Sequence, residues 1–224
     1  MSYQDELNVI EKATANIQAF PSCGARRLGL YPVVDSSDWI KRLVDCGVTT
    51  LQLRIKQADK ATLTQEIKCS IDYCQAAQGR LFINDHWQLA IEHQAYGIHL
   101  GQEDLLTTDL LAIKNAGLRL GVSSHSPAEI FHALSHQPSY LAFGPIYPTN
   151  SKKMPYLPQG IEKLKFWLQQ LSLPLVAIGG INDSNIETIA GLKNLSGIAM
   201  ISAITESNNP ELTVKRYMNL CCQQ

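Results

Sequence analysis

From residue 28 onward, short apolar runs alternate with longer stretches whose apolar residues recur at helical spacing. The runs at 28–34, 50–55, 81–84, 97–100, 118–123, 140–145, 175–179 and 197–202 read as strands. Several are apolar without interruption, the pattern of strands covered on both faces. Helices fit between them. Ile161, Leu164, Trp167, Leu168 and Leu171 form one apolar stripe. Ser126-Pro127-Ala128-Glu129 sets an N-cap, a proline at the first helical position and a capping-box glutamate in order, and Ser184-Asn185-Ile186-Glu187 repeats the box. Eight strands, each followed by a helix, predict an α/β fold: a single (β/α)8 TIM barrel over residues 27–224. A doubly wound open sheet would need fewer strands or a second domain, and no linker or composition break marks one. Residues 1–26 read as an N-terminal extension, with a helix over 5–20 closing the barrel bottom. The longest connection, 146–159, carries Pro148, Pro155 and Pro158, and loops of this length in compact domains are often functional.

The polar residues gather at one end of this scheme. Barrel chemistry collects at the carboxyl ends of the strands. There the chain places Asp35, the Gln52/Arg54/Lys56 set, Asn84-Asp85-His86, His99 through Asp104, Ser123-Ser124-His125, Thr149 through Lys153, Gly179-Gly180 and Ser202. The amino ends show no such enrichment. Within Thr50-Leu51-Gln52-Leu53-Arg54-Ile55-Lys56, alternation sends one amide and two cations to one side of a strand. Either that side is a solvated edge, or it receives a polyanion such as a diphosphate. Asp85 and Asp104 follow adjacent strands. Each reads as a helix cap or, as a pair, as hard oxygen ligands for Mg²⁺ shared with substrate phosphates. Gly179-Gly180 and Ser202, after the seventh and eighth strands, match the usual monophosphate cradle of such barrels.

Composition narrows the classes. The chain has 224 residues, 45% apolar and 17% charged, with a formal net charge of −1. That balance argues against a nucleic-acid or membrane-surface partner, so any basic site is local. No apolar run nears the ~18 residues of a membrane span, and the polar start MSYQDELN lacks a signal-peptide pattern, so the expected location is cytoplasmic. The six cysteines make no CxxC and no zinc spacing and read as buried or incidental thiols. His86, His99 and His125 fall near the presumed mouth, while His93, His132 and His136 read as helix-surface residues. No Ser–His–Asp order or nucleophile elbow appears. The site looks built to hold two anionic groups and a metal.

Taken together, the ordered motifs resemble the thiamine phosphate synthase family from Leu28 to about Thr205. They are TLQLRIK at 50–56, FIND at 82–85, GIHLGQEDL at 97–105, GVS at 121–123, GPIYPTNSK at 144–152, AIGGI at 177–181 and SAI at 202–204. The resemblance implies coupling of 4-amino-2-methyl-5-hydroxymethylpyrimidine diphosphate with 4-methyl-5-(2-hydroxyethyl)thiazole phosphate, giving thiamine phosphate and pyrophosphate. It implies that Gln52, Arg54, Lys56, Asn84, Ser123 and Lys152 hold the pyrimidine diphosphate, with Ser123 and Lys152 taking catalytic roles. It implies Mg²⁺ on Asp85 and Asp104, and thiazole phosphate on Thr149, Ser151, Gly180, Ile201 and Ser202. The family pattern usually has threonine where Ser151 stands, and serine keeps the hydroxyl. The implied chemistry is a dissociative substitution without a protein nucleophile, in keeping with the missing triad. A thiazole tautomerase or a thiazole phosphate-sensing regulator on the same barrel are the alternatives. The tautomerase has no need for the full diphosphate and Mg²⁺ set, and the regulator would bind ligand without Mg²⁺-dependent pyrophosphate release. Oligomeric state, including a homo-oligomer, stays open.

Overall fold

The computed structural model describes residues 2–24, 27–149 and 157–222. Eight parallel strands close a barrel in sequence order: β1 (Gly29–Val34), β2 (Thr50–Leu53), β3 (Arg80–Asn84), β4 (Gly97–Leu100), β5 (Arg119–Ser124), β6 (Tyr140–Phe143), β7 (Leu175–Ile178) and β8 (Leu195–Met200). The helices among the described residues are α1 (Tyr3–Thr14), α2 (Ser37–Asp45), α3 (Lys60–Ala76), α4 (Trp87–Glu92), α5 (Gln102–Leu105), α6 (Leu110–Asn115), α7 (Pro127–Ser135), α8 (Gly160–Gln170), α9 (Ile186–Ala190), α10 (Ser202–Thr205) and α11 (Pro210–Cys222). The fold is the (β/α)8 barrel read from the periodicity. No helix among the described residues is long and apolar enough to cross a membrane.

Two apolar cores share the strands. Outward-facing residues such as Leu51, Leu53, Ile83, Ile98 and Leu120 pack against the helix ring. Tyr31, Val33, Phe82, Tyr140, Ala142, Val176 and Ala199 point inward and fill the barrel. Large and small residues alternate around the inner wall. Phe82 faces Gly97 across β3–β4, and Tyr140 faces Gly121 across β5–β6. A β-carbon on Gly97 would lie 2.6 Å from the Phe82 ring, and one on Gly121 2.1 Å from the Tyr140 ring. Each aromatic therefore occupies the space that a side chain on its neighbour strand would need.

Several local expectations shift. The N-terminal helix ends at Thr14, short of residue 20, and lies on the outside of the barrel rather than across its bottom. Its Tyr3 ring packs on Phe131 of α7 and on Phe166 and Trp167 of α8. The extended segment that follows covers the bottom. Its carbonyls at Pro21, Ser22 and Cys23 accept hydrogen bonds from Ser139 Oγ, Arg119 Nε and Tyr96 OH. Cys23, 6% exposed, joins the inner core. The Ser184 capping box does not form. Asn182 Oδ1 instead takes Ser184 N and Oγ in a turn, and Asn185 stands at the cap position of α9. At α7, Ser126 Oγ does accept from Glu129 N. The glutamate carboxylate reaches one residue further back, to the backbone N and ring Nδ1 of His125.

Candidate active site at the carboxyl ends of the strands

A single cavity at the barrel mouth is lined from all eight strands or the turns just beyond them. Gln52, Arg54, Asn84, Asp85, Asp104, Ser123, Thr149, Gly180, Ile201 and Ser202 all contribute to it. The alternation read across 50–56 stops early, because β2 ends at Leu53. Arg54 still donates its backbone N–H to Val34 O, and the chain then bends. Gln52 is buried inside the barrel and Arg54 half-buried at the rim. Lys56 is exposed and lies off the mouth lining, along a neighbouring groove that also borders Arg54, Trp39 and Ile201. Ser151 and Lys152 lie outside the described residues.

The two carboxylates behave differently. Asp104 sits in the first turn of α5 and accepts from the Gly101 N–H through Oδ2, so the capping role exists there. Asp85 is not a helix cap. The cap position of α4 is His86, which makes no side-chain capping bond. Asp85 adopts a left-handed backbone with φ of 63°, sparsely populated for any residue but glycine. Its carboxyl opens to the mouth, yet the surrounding wall thins its hydration. That desolvation, followed by the Asp104 charge, raises its pKa above the ordinary carboxylate value, while Arg54, His86 and Asn84 pull it down. Two mutually repelling hard-oxygen groups suit a divalent cation such as Mg²⁺. Among the described residues no three His, Cys, Asp or Glu side chains gather as a metal cluster. A cation on this pair would thus take further oxygens from substrate and water, as Mg²⁺ commonly does.

On the opposite side, Gly179 and Gly180 have φ of 94° and 69°. A β-carbon on Gly180 would lie 2.5 Å from Pro148 O, and one on Gly179 2.6 Å from Pro145. The loop after β6 lies directly on this turn, with Tyr147 N–H bonded to Gly179 O. The glycines are therefore required by the packing of that loop as well as by their conformation.

Sequence reasoning overlooked the polar chain beneath the cavity. Gln52 Nε2 lies 3.3 Å from Tyr31 OH, which lies 2.7 Å from Tyr140 OH. Tyr140 OH lies 2.7 Å from His99 Nδ1, and His99 Nε2 lies 2.8 Å from Ser123 Oγ. Burial pushes both tyrosine hydroxyls above the ordinary phenol range. In strands apolar on both faces, nothing local marks which tyrosines turn inward. His125 also lines the cavity, held by Glu129. His86 is bonded to Ile55 O, outside the lining. His93, His132 and His136 are half-buried rather than exposed on helix surfaces. His132 Nδ1 lies 2.9 Å from Gln102 Oε1, while Gln102 Nε2 donates to Ser123 O and steadies the end of β5.

Comparison with known proteins agrees with this architecture. The family model described as thiamine monophosphate synthase matches residues 30–204. A thiamine-phosphate synthase of Enterobacter sp. (strain 638) is 50% identical over 196 residues, covering 87% of this chain and 92% of that one. One of Klebsiella pneumoniae subsp. pneumoniae is 53% identical over 184 residues, covering 81% and 86%. The solved thiamine phosphate pyrophosphorylase from Pyrococcus furiosus superposes with a TM-score of 0.77 at 26% identity, covering 87% of this chain and 95% of that one. Matched by that family model across most of its length, the chain belongs to the thiamine monophosphate synthase family.

Proposed function

We propose that this chain is a transferase of thiamine biosynthesis. It joins 4-amino-2-methyl-5-hydroxymethylpyrimidine diphosphate to 4-methyl-5-(2-hydroxyethyl)thiazole phosphate, releasing pyrophosphate. The observation that carries the reading is the placement of Gln52, Arg54, Asn84, Asp85, Asp104 and Ser123 around one cavity, facing Gly180, Ile201 and Ser202. Six free cysteines fit a reducing, cytoplasmic setting.

In this reading Gln52, Arg54, Lys56, Asn84, Ser123 and Lys152 hold the pyrimidine diphosphate. Thr149, Ser151, Gly180, Ile201 and Ser202 place the thiazole phosphate. Asp85 and Asp104 would hold Mg²⁺. Bound there, the ion would neutralise charge on the departing pyrophosphate. The carbon–oxygen bond to the diphosphate breaks first, leaving a pyrimidine-stabilised carbocation that the thiazole nitrogen captures. Catalysis then consists of charge neutralisation, alignment of the two partners and exclusion of water.

Incubating the protein with both substrates and Mg²⁺, and measuring thiamine phosphate and pyrophosphate, tests the assignment. Product must appear with Mg²⁺ and vanish with EDTA; substrate binding without turnover would point to a sensor instead. Arg54→Ala is expected to raise KM for the pyrimidine diphosphate about tenfold to a hundredfold, the worth of one or two charge-assisted hydrogen bonds. An unchanged KM would remove Arg54 from the diphosphate site. Lys152→Ala is expected to cut kcat by about a hundredfold while leaving the melting temperature unchanged. Turnover within twofold of the parent would exclude the role.

A further inference from the structure

The buried chain beneath the mouth has a direction. A glutamine amide nitrogen only donates hydrogen bonds, so Tyr31 oxygen accepts from Gln52. Tyr31 is 1% exposed and Tyr140 is 0% exposed, so neither hydroxyl hydrogen reaches bulk water. A buried hydroxyl hydrogen without an acceptor is costly, and the arrangement that gives every hydrogen one within the chain runs a single way. Tyr31 donates to Tyr140, and Tyr140 donates to His99 Nδ1. His99 Nδ1 then carries no hydrogen, its Nε2–H donates to Ser123 Oγ, and the serine hydrogen is left to point into the cavity. With the opposite polarity, the Tyr31 hydrogen would have no acceptor in the chain.

We infer that His99, Tyr140 and Tyr31 are positioning residues that transmit the polarity of the Gln52 amide across the barrel, hold His99 as the Nε2–H tautomer, and make the Ser123 hydroxyl a donor toward substrate. The site's two walls are thereby coupled. The side chain on β2 decides which way the hydroxyl on β5 points, through groups of which Tyr140 does not line the cavity at all. In the proposed reaction, a serine fixed as a donor would meet the negative charge that develops on the leaving group. That consequence rests on the proposed function; the polarity of the chain does not.

The ring nitrogens of His99 in the full-length protein, labelled with ¹⁵N, report the tautomer directly through two-bond proton–nitrogen correlations. The parent protein is expected to show a protonated Nε2 and an unprotonated Nδ1. Tyr140→Phe breaks the chain and is expected to give a mixture of tautomers. Gln52→Glu puts an acceptor at the head of the chain and is expected to transfer the proton to Nδ1, two tyrosines away. A parent His99 protonated on Nδ1, or a tautomer untouched by both substitutions, would overturn the inference. In turnover, Tyr140→Phe is expected to lower kcat about tenfold with KM for both substrates within about twofold. A shifted tautomer with unaltered kcat would refute the link to Ser123. A parent protein that makes no product but shows the expected tautomer would count against the proposed function alone.

Discussion

Asp85→Asn is expected to lower Mg²⁺-dependent thiamine phosphate formation by about a hundredfold or more, while the metal-free protein becomes no less stable. The first part follows from the proposed Mg²⁺ site: if Asp85 and Asp104 hold the ion, Asp85→Asn removes one of its two anionic ligands, and a metal contributes several kcal/mol of charge stabilisation, each ~1.4 kcal/mol being tenfold in rate. The second follows from the direction of the Asp85 pKa. Desolvation and the Asp104 charge raise it in the folded protein. A raised carboxyl binds its proton more tightly folded than unfolded, so ionising it works against the fold. Stability of the metal-free protein is therefore expected to fall as pH climbs from the unfolded carboxyl value through the raised folded one, and Asp85→Asn is expected to lose that slope. Asparagine also tolerates the left-handed backbone at this position. Denaturant unfolding at several pH values, without metal and then with Mg²⁺, checks both parts. A variant that retains near-parental Mg²⁺-dependent activity, or that is clearly less stable without metal, would contradict the account.

Gly121→Ala is expected to be among the most damaging single-methyl changes in this chain. The new carbon would sit 2.1 Å from the Tyr140 ring and 2.3 Å from its hydroxyl. That ring is fully buried among Tyr31, Phe82 and His99 and has no space to retreat. Overpacking of this kind costs about 1–3 kcal/mol, or about 2–12 °C of melting temperature for a chain of this size. Gly191→Ala is the matched control. There the added carbon meets nothing nearer than 3.4 Å, and the backbone is helical with φ of −71°. Its effect is expected within about 0.5 kcal/mol. Thermal melts of the two variants side by side decide the matter, and equal midpoints would show that the inner wall yields more readily than its packing implies. Gly121→Ala is also expected to disturb His99, because the displaced hydroxyl is the one that its Nδ1 meets.

These outcomes separate what local chemistry specifies from what depends on the closed barrel. Alternating apolar runs and helical stripes were enough for strand number and order, because a parallel barrel buries both faces of each strand and writes that burial into consecutive residues. Most strand starts and ends fall within two residues of the expected positions. The misses cluster at the mouth. Strands 2, 6, 7 and 8 stop before the polar or glycine residues expected near their ends, since the chain must leave the ladder to form loops. The capping box at Ser184 had the right residue types, but the longer Asn182–Asn185 turn satisfied them first. Closing the bottom fell to an extended segment rather than to a helix. The arginines at the strand starts bond its exposed carbonyls, which a helix would have bonded internally.

The same division runs through the site. Polar residue types at strand ends are legible in a linear chain, so Gln52, Arg54, Asn84, Asp85, Asp104, Ser123 and Ser202 stand out before any folding is considered. Three things needed the tertiary structure. Lys56 leaves the mouth because β2 ends at Leu53. Asp85 and Asp104 become unequal because a short helix claims one oxygen of Asp104. Tyr31, Tyr140 and His99 become a single hydrogen-bonded chain because three strands, β1, β6 and β4, turn these side chains toward a common axis. By itself the sequence determined the barrel and the chemical types at its mouth, since both are written in short-range periodicity. Which groups meet inside the barrel was decided by closure alone, which brings Tyr31 and Tyr140, 109 positions apart, into hydrogen-bond contact.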